Sequence, residues 1–563
     1  MNTFFRQMMM ALVLAFVMIG CADRAALQSE AEEDAVGGDG NQEGAAAPTP
    51  IAAVPMEAEA IQQTQMMRQV APSDATAWPA ANDETYNLIV ENAFKKASDH
   101  PLSTFSIDVD AASYSNIRRI IRQGVVPQKD AVRIEEMVNY FVYDYPEPSA
   151  DQPFSITTEI GAAPWNAAHQ LVHVGLQGRR MQRDEQPANN LVFLLDVSGS
   201  MNAPDKLPLL KQAFRMLVGE LTERDRVAIT VYAGAAGLVL PSTPGHQKDT
   251  ILSALDRLEA GGSTAGAAGI RLAYQVAQEN FIEGGNNRII LATDGDFNVG
   301  QSSEAELIRM IEEKRENGTF LTILSFGTGN LKDSKMEQLA DHGNGNYYYI
   351  DNELEARKVL VTDLRGTLFT IAKDVKIQIE FNPAAVASYR LIGYENRLLA
   401  DEDFADDTKD AGELGAGHTV TALYEIVPVG AQTDAAVRDR GDLRYQNQGL
   451  TEAAVASGEL MTLKLRYKAP DGDTSRLIER AVTMPAADER ATGENFYFSA
   501  AVAEFGMILR DSEHRSSATL DQVLALARDA QGEDRYGYRA EFIRLVEDYQ
   551  VLVGETPVSE VRR

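Results

Sequence analysis

The sequence predicts an α/β fold: a doubly wound, mostly parallel sheet, flanked by an antiparallel β domain and terminal helices. Two observations carry this expectation. Between about Asn189 and Lys373 short apolar runs alternate with amphipathic stretches of helical length, the pattern of parallel strands joined by right-handed crossovers. On either side of that segment strand-like runs follow one another directly, alternating apolar and polar side chains as antiparallel strands do. At 563 residues the chain has room for roughly two to four domains and at least one large core.

From the start, "MMMALVLAFVMIG" follows Arg6, is short for a membrane span, and ends at Gly20 beside Cys21, the single cysteine of the chain. One cysteine excludes an internal disulfide and a cysteine-built zinc site. The segment resembles a bacterial lipoprotein signal over residues 1–20. That resemblance implies cleavage before Cys21, a lipid on its sulfur, and a membrane partner through an N-terminal lipid anchor. The same resemblance implies, with Ala22 rather than Asp after the cysteine, the outer membrane and periplasm over the inner membrane as the place in the cell envelope. Residues 21–87, as in "EEDAVGGDGNQEGAAAPTP", are too poor in apolar side chains to offset ordering entropy and read as a disordered tether. A flexible chain of roughly 65 residues reaches about 45 Å. The formal charge of −31 argues against nucleic acid as a partner, since phosphate binding needs Lys and Arg clusters, and fits a solvated acidic surface.

Residues 88–188 form a helical and β flank. "STFSIDVDAASYSNIRRIIRQG" reads as a strand from Thr104 to Val109 and a helix capped by Asp110, and "DAVRIEEMVNYF" as a second helix. "PFSITTEIGAAP" and "HQLVHVGLQ" then alternate as antiparallel strands. The α/β segment, 189–373, has strands centred on "LVFLLD", "RVAITVYA", "RIILATD", "FLTILSFG" and "YYYID". Residues 374–494 return to strands, "VKIQIEFNP", "SYRLIGYE", "TVTALYEIVP", "LMTLKLRYKAP" and "RLIERAVTMP", read as a β-sandwich-like domain. Because strands stand on both sides of the α/β segment, that segment is expected to be inserted into, or cradled by, one β domain. Helices close the chain over 495–563.

The chemistry concentrates in "LVFLLDVSGSMNAP". A strand buried on both faces ends at Asp196, with Ser198 and Ser200 at alternate positions and Gly199 allowing a tight path. "GGSTAG" offers Thr264 at a helix start, and "LATDGDFN" places Asp294 at the end of another buried strand. In open α/β sheets ligands bind beyond the carboxyl ends of the strands, where these three loops meet. Hydroxyl and carboxylate oxygens suit a hard cation such as Mg²⁺.

"DVSGS", Thr264 and "TDG" resemble the metal-ion-dependent adhesion site of von Willebrand factor type A domains, in the family's order along residues 189–373. The flanks "STFSIDVDAASYSNIRR" and "IGYENRLLADEDFADDTKDAGE" resemble a bacterial lipoprotein family carrying such a domain. The resemblance implies a Rossmann-like sheet and Mg²⁺ or Mn²⁺ as cofactor. It implies Ser198 and Ser200 as direct ligands, Thr264 as a ligand direct or through water, and Asp196 and Asp294 acting through waters or hydrogen bonds to the hydroxyls. One coordination position stays open for an Asp or Glu of a protein ligand.

Other patterns fail on their own terms. "DGDFNVG" starts like a calcium loop but has Val299 at the turn glycine and Ala305 at the bidentate glutamate. HExxH, the GxxxxGKS loop and the GxSxG elbow do not occur in the chain. With those patterns set aside, the resemblance implies an envelope-anchored binding protein and not an enzyme. The rival classes are a hydrolase using metal-activated water and a metal-independent structural protein of the envelope.

Overall fold

The computed structural model describes residues 84–554, apart from 85, 108–109, 150, 183–184, 263–265, 296–303, 329–331, 364–368, 410, 434–448, 471 and 485–491. The expected signal 1–20, Cys21, nearly all of the tether 21–87, and Thr264 lie outside the described residues.

The central sheet has six strands in the order Tyr347–Ile350, Thr319–Phe326, Asn286–Thr293, Asn189–Asp196, Arg226–Tyr232 and Ala236–Pro244. The first five run parallel and the last is antiparallel. Leu191 to Leu195 form an unbroken apolar run because both faces of this strand are covered: Leu191, Phe193 and Leu195 join one core, Val192 and Leu194 the other. Leu210, Phe214 and Leu217 of helix Leu207–Glu220 close the first face, and Ile270, Ala273 and Ala277 of helix Gly266–Glu279 the second. Each such large apolar side chain, once buried, contributes about 1.5–3 kcal/mol. The edge strand Ala236–Pro244 escapes sequence reading because its apolar run, Leu238 to Leu240, is short and ends at Pro241; Leu240 is buried but Leu238 is exposed.

Strands from both sides of this α/β segment build one antiparallel sandwich. One sheet runs Lys95–Lys96, Val386–Ile392, Thr419–Pro428, Asn166–Gly178, Phe154–Ala163. The other runs Gly412–Gly415, Thr370–Phe381, Glu459–Lys468, Ser475–Thr483, with Leu102–Ser106 also pairing with Thr370–Phe381. Val172, Val174 and Tyr424 from the first sheet meet Ile377, Ile379, Leu463 and Leu465 from the second in a single core.

A third core joins the two ends of the described chain. Helices Ala112–Arg122 and Ile134–Asn139 pack with Glu494–Arg510, Leu520–Asp529 and Tyr538–Leu552 around Tyr114, Phe141, Phe498 and Phe542. Phe141 stands edge-on to both Phe498 and Phe542, the favoured arrangement of aromatic pairs. The segments 88–188, 374–494 and 495–563 thus share cores with one another.

Asp110 does not cap the helix expected of it. Ala111 holds the cap position without a side-chain hydrogen bond, while Asp110 accepts the Tyr347 backbone N–H at 3.1 Å and pairs with Arg397 at 3.4 Å. A buried carboxylate one residue short of the cap finds its donors across the fold instead. No helix among the described residues is long and apolar enough to cross a membrane.

Candidate metal centre

Asp196 is the last residue of its strand, and Asp294 directly follows the neighbouring parallel strand Asn286–Thr293. Both carboxylates are buried at the carboxyl edge of the sheet. The turn after Asp196 is fixed by its own side chain: Oδ1 accepts the Ser198 backbone N–H at 2.8 Å. Ser198 Oγ and Ser200 Oγ stand 3.0 Å apart. Ser198 is buried and Ser200 exposed, so the site opens to solvent on the Ser200 side. Thr293 Oγ1 donates weakly to Asp196 Oδ2 at 3.4 Å.

The loop that leads to Thr264 is stitched onto this turn. Gly261 N–H donates to Val197 O at 2.7 Å, and Gly199 N–H donates to Gly262 O at 3.1 Å. Gly262 sits at φ +84°, where a side chain would be strained and its Cβ would come within 3.1 Å of Gly234 N. A single residue, Ser263, separates Gly262 from Thr264 in the sequence.

Burial raises the Asp196 carboxyl above its ordinary range, hydrogen bonds from Ser198 oppose the shift, and the nearby Asp294 charge adds to it. Burial, then the Asp196 charge, pushes the Tyr232 phenol well above its usual range, so it remains a protonated group beside the carboxylates. Lys206 supplies a positive charge: its Nζ donates to Asp294 Oδ2 at 2.8 Å, with both side chains buried. Sequence reading missed Lys206 and Tyr232. Neither belongs to a short motif, and each meets the aspartates only through the fold.

The donor set fits a hard divalent cation. Two carboxylates and two hydroxyls converge in a region where a buried carboxyl is strained by its own burial and by a second negative charge. Among the described residues no group of three or more His, Cys, Asp or Glu side chains gathers as a metal site.

Three families match along the chain. Residues 190–362 match the von Willebrand factor type A domain, residues 80–173 a family described as von Willebrand factor, and residues 366–552 the C-terminal part of the uncharacterized protein YfbK. YfbK of Escherichia coli (strain K12) is 42% identical over 507 residues, spanning 89% of this chain and 86% of that protein. The chain belongs to the YfbK family. Its α/β segment is a von Willebrand factor type A domain, with the doubly wound sheet expected of one. This YfbK-family chain is also 27% identical over 186 residues to the uncharacterized protein sll0103 of Synechocystis sp., spanning 33% of its own length and 43% of that relative. Among solved structures, a von Willebrand factor type A protein from Catenulispora acidiphila covers 70% of the chain with 90% of its own, at 16% identity and a TM-score of 0.38. BatB from Bacteroides thetaiotaomicron covers 31% with 96% of its own, at 23% identity and a TM-score of 0.27.

Proposed function

We propose that this YfbK-family chain is a lipid-anchored protein of the cell envelope, facing the periplasm, that captures a partner protein through a divalent cation. Asp196, Ser198, Ser200, Thr264 and Asp294 hold Mg²⁺ or Mn²⁺, Cys21 carries the lipid, and no catalytic step is assigned. The supporting observation is the Asp196–Ser198–Ser200 turn beside Asp294 at the carboxyl edge of the sheet, laced to the loop that leads to Thr264. Binding of partner proteins is what type A domains generally do, and the exposed Ser200 leaves an approach from solvent. The cation, when bound, offers an electrophilic position to an acidic side chain, because hydroxyl ligands neutralise it less than carboxylates do. The chain's own residues orient the oxygens: Asp196 fixes the turn, and Ser198 and Ser200 face each other across it.

Affinity capture from envelope extracts tests this directly. Partners should be retained in Mg²⁺ or Mn²⁺, released by EDTA, and absent with the Asp196→Ala protein. Retention of the same partners in EDTA would leave a metal-independent envelope role in its place.

A further inference from the structure

Lys206 is an unusual residue for its place. It stands immediately before helix Leu207–Glu220, at the cap position, and its side chain makes no capping bond. An ammonium has no acceptor oxygen for the free N–H groups of a first turn, and it sits poorly at the positive end of the helix dipole. The side chain instead turns into the centre just described, where Nζ meets Asp294 Oδ2 at 2.8 Å. The lysine and aspartate side chains are 8% and 1% exposed, so the contact is shielded from water and is not a surface ion pair.

The fold keeps a corridor open for this lysine. Gly327, just beyond the strand Thr319–Phe326, lies at φ +75°, and a Cβ there would come within 2.3 Å of Lys206 Cγ and 2.4 Å of Cε. Tyr349 OH donates to Gly327 O at 2.6 Å and holds that turn in place. A residue with no side chain, in a conformation that favours glycine, therefore lies where the lysine stem passes.

Charge accounting gives the lysine a role. Among the described residues of the centre, Asp196 and Asp294 carry two formal negative charges and Lys206 one positive, a formal sum of one negative charge. A divalent cation added to that set overshoots to one net positive charge. One carboxylate from outside then restores neutrality. Without the lysine, the cation alone would balance the two aspartates and an incoming carboxylate would be the surplus charge.

We propose that Lys206 is a built-in cation of the metal centre: paired with Asp294, it lowers the affinity for divalent metal so that firm metal retention depends on an acidic partner. This rests on the metal-binding reading above and adds to it how the site is regulated. Lys206 is a positioning and tuning residue; it is not a ligand. Repulsion between ammonium and cation is strong at this depth, because the interior screens charges far less than water does. Removal of the ammonium with the stem retained has two opposite effects: tighter metal binding, and a metal-free protein in which the buried Asp294 has lost its ammonium partner.

The test uses the full-length chain with Mn²⁺ alone as probe. Calorimetric dissociation constants are compared for wild type, Lys206→Met and Lys206→Gln, alongside melting curves in EDTA and in saturating Mn²⁺. The expected result is binding at least tenfold tighter in both variants, with melting temperatures below wild type in EDTA and recovered by Mn²⁺. Glutamine keeps a polar tip, so that substitution remains informative if the methionine variant folds poorly. Equal or weaker Mn²⁺ binding in both variants, with wild type binding normally, overturns the inference and leaves the metal site standing. No binding by any of the three proteins removes the metal-binding reading itself and the inference with it.

Discussion

The guanidinium of Arg118 donates to Glu355 Oε2 at 2.7 Å, tying the first helix of the described chain to the helix that closes the type A domain. Arg118 is fully buried and also grips both oxygens of Asp351, with Nε to Oδ2 at 2.9 Å. Tyr140 OH donates to the same Glu355 oxygen at 2.8 Å, and Glu541 of the last helix stands 3.7 Å from Nη1. Burial alone would lower the affinity of Arg118 for its proton, but the surrounding negative groups outweigh it and hold the guanidinium charged. Removal of one partner from such a set strands the others. Arg118→Met should lower stability by about 3–5 kcal/mol. Arg122, whose side chain is 44% exposed where it pairs with Glu541, should cost under about 1 kcal/mol when changed to Ala. Denaturant unfolding of the two variants checks the contrast.

The same clasp bears on motion. Helix Glu353–Arg357 starts at Asn352, whose side chain accepts the Glu355 N–H at 3.0 Å, and continues as a wider π turn over Lys358–Asp363. Such turns are frequent at functional sites. A ligand shifts this helix only by its different affinity for two positions, and any displacement must break the Arg118 contacts. Amide exchange over 353–363 is expected to be slow in wild type, faster in Arg118→Met, and altered by captured partner. Protection unchanged by partner in both proteins would leave a static clasp with no switch.

Local signals made much of this molecule legible. Leu191 to Leu195 announced a buried strand because both faces of the sheet are covered, and Asp196, Ser198 and Ser200 sit within five positions, so their convergence follows from the turn alone. Lys206 was not legible: it meets Asp294 from 88 positions away, and nothing in "NAPDK" marks it. Asp110 looked like a helix cap because Asp before a helix often is one, but a tertiary donor, the Tyr347 N–H, won. The edge strand Ala236–Pro244 offers only Leu238, Val239 and Leu240 before Pro241 breaks the pattern, and Arg118 could not be matched in the sequence to partners on two distant helices.

Glu504 gives a pH prediction. It is fully buried in helix Glu494–Arg510, its carboxyl oxygens make no close hydrogen bond, and burial pushes the carboxyl up to about 8, only partly offset by the Thr519 backbone. The folded state thus keeps a proton that the unfolded chain releases near its ordinary carboxylate range. Stability falls as pH rises between those two values, by about 1.4 kcal/mol per unit, and the loss is complete above the folded value. Glu504→Gln should match wild type near pH 5 and exceed it by on the order of 4 kcal/mol near pH 9. Equal pH dependence of the two melting curves would show that Glu504 ionises freely in the fold.

Anchoring is tested apart from the fold. Labelled palmitate should enter the wild-type chain during growth and be absent from Cys21→Ser, with the variant recovered in the soluble fraction. Equal labelling of both proteins would place any lipid elsewhere.

The last prediction separates ion, partner and fold at the candidate centre. Asp196 fixes the turn through the Ser198 N–H, so Asp196→Ala should weaken Mg²⁺ binding both by loss of charge and by loosening Ser198 and Ser200. Ser200 is exposed and, among the described residues, its hydroxyl bonds to Ser198 Oγ, so Ser200→Ala should cost little stability, under about 1 kcal/mol. As a direct ligand in the proposed set, it should nevertheless weaken Mg²⁺ by at least about tenfold, as loss of even an outer partner commonly does. Thr264→Ala should behave likewise. Each variant is to be compared by calorimetry with Mg²⁺, by circular dichroism and by partner capture. A native spectrum with lost capture and weakened Mg²⁺ is the expected pattern; undiminished Mg²⁺ binding in Asp196→Ala and Ser200→Ala together would move the ion away from this edge of the sheet.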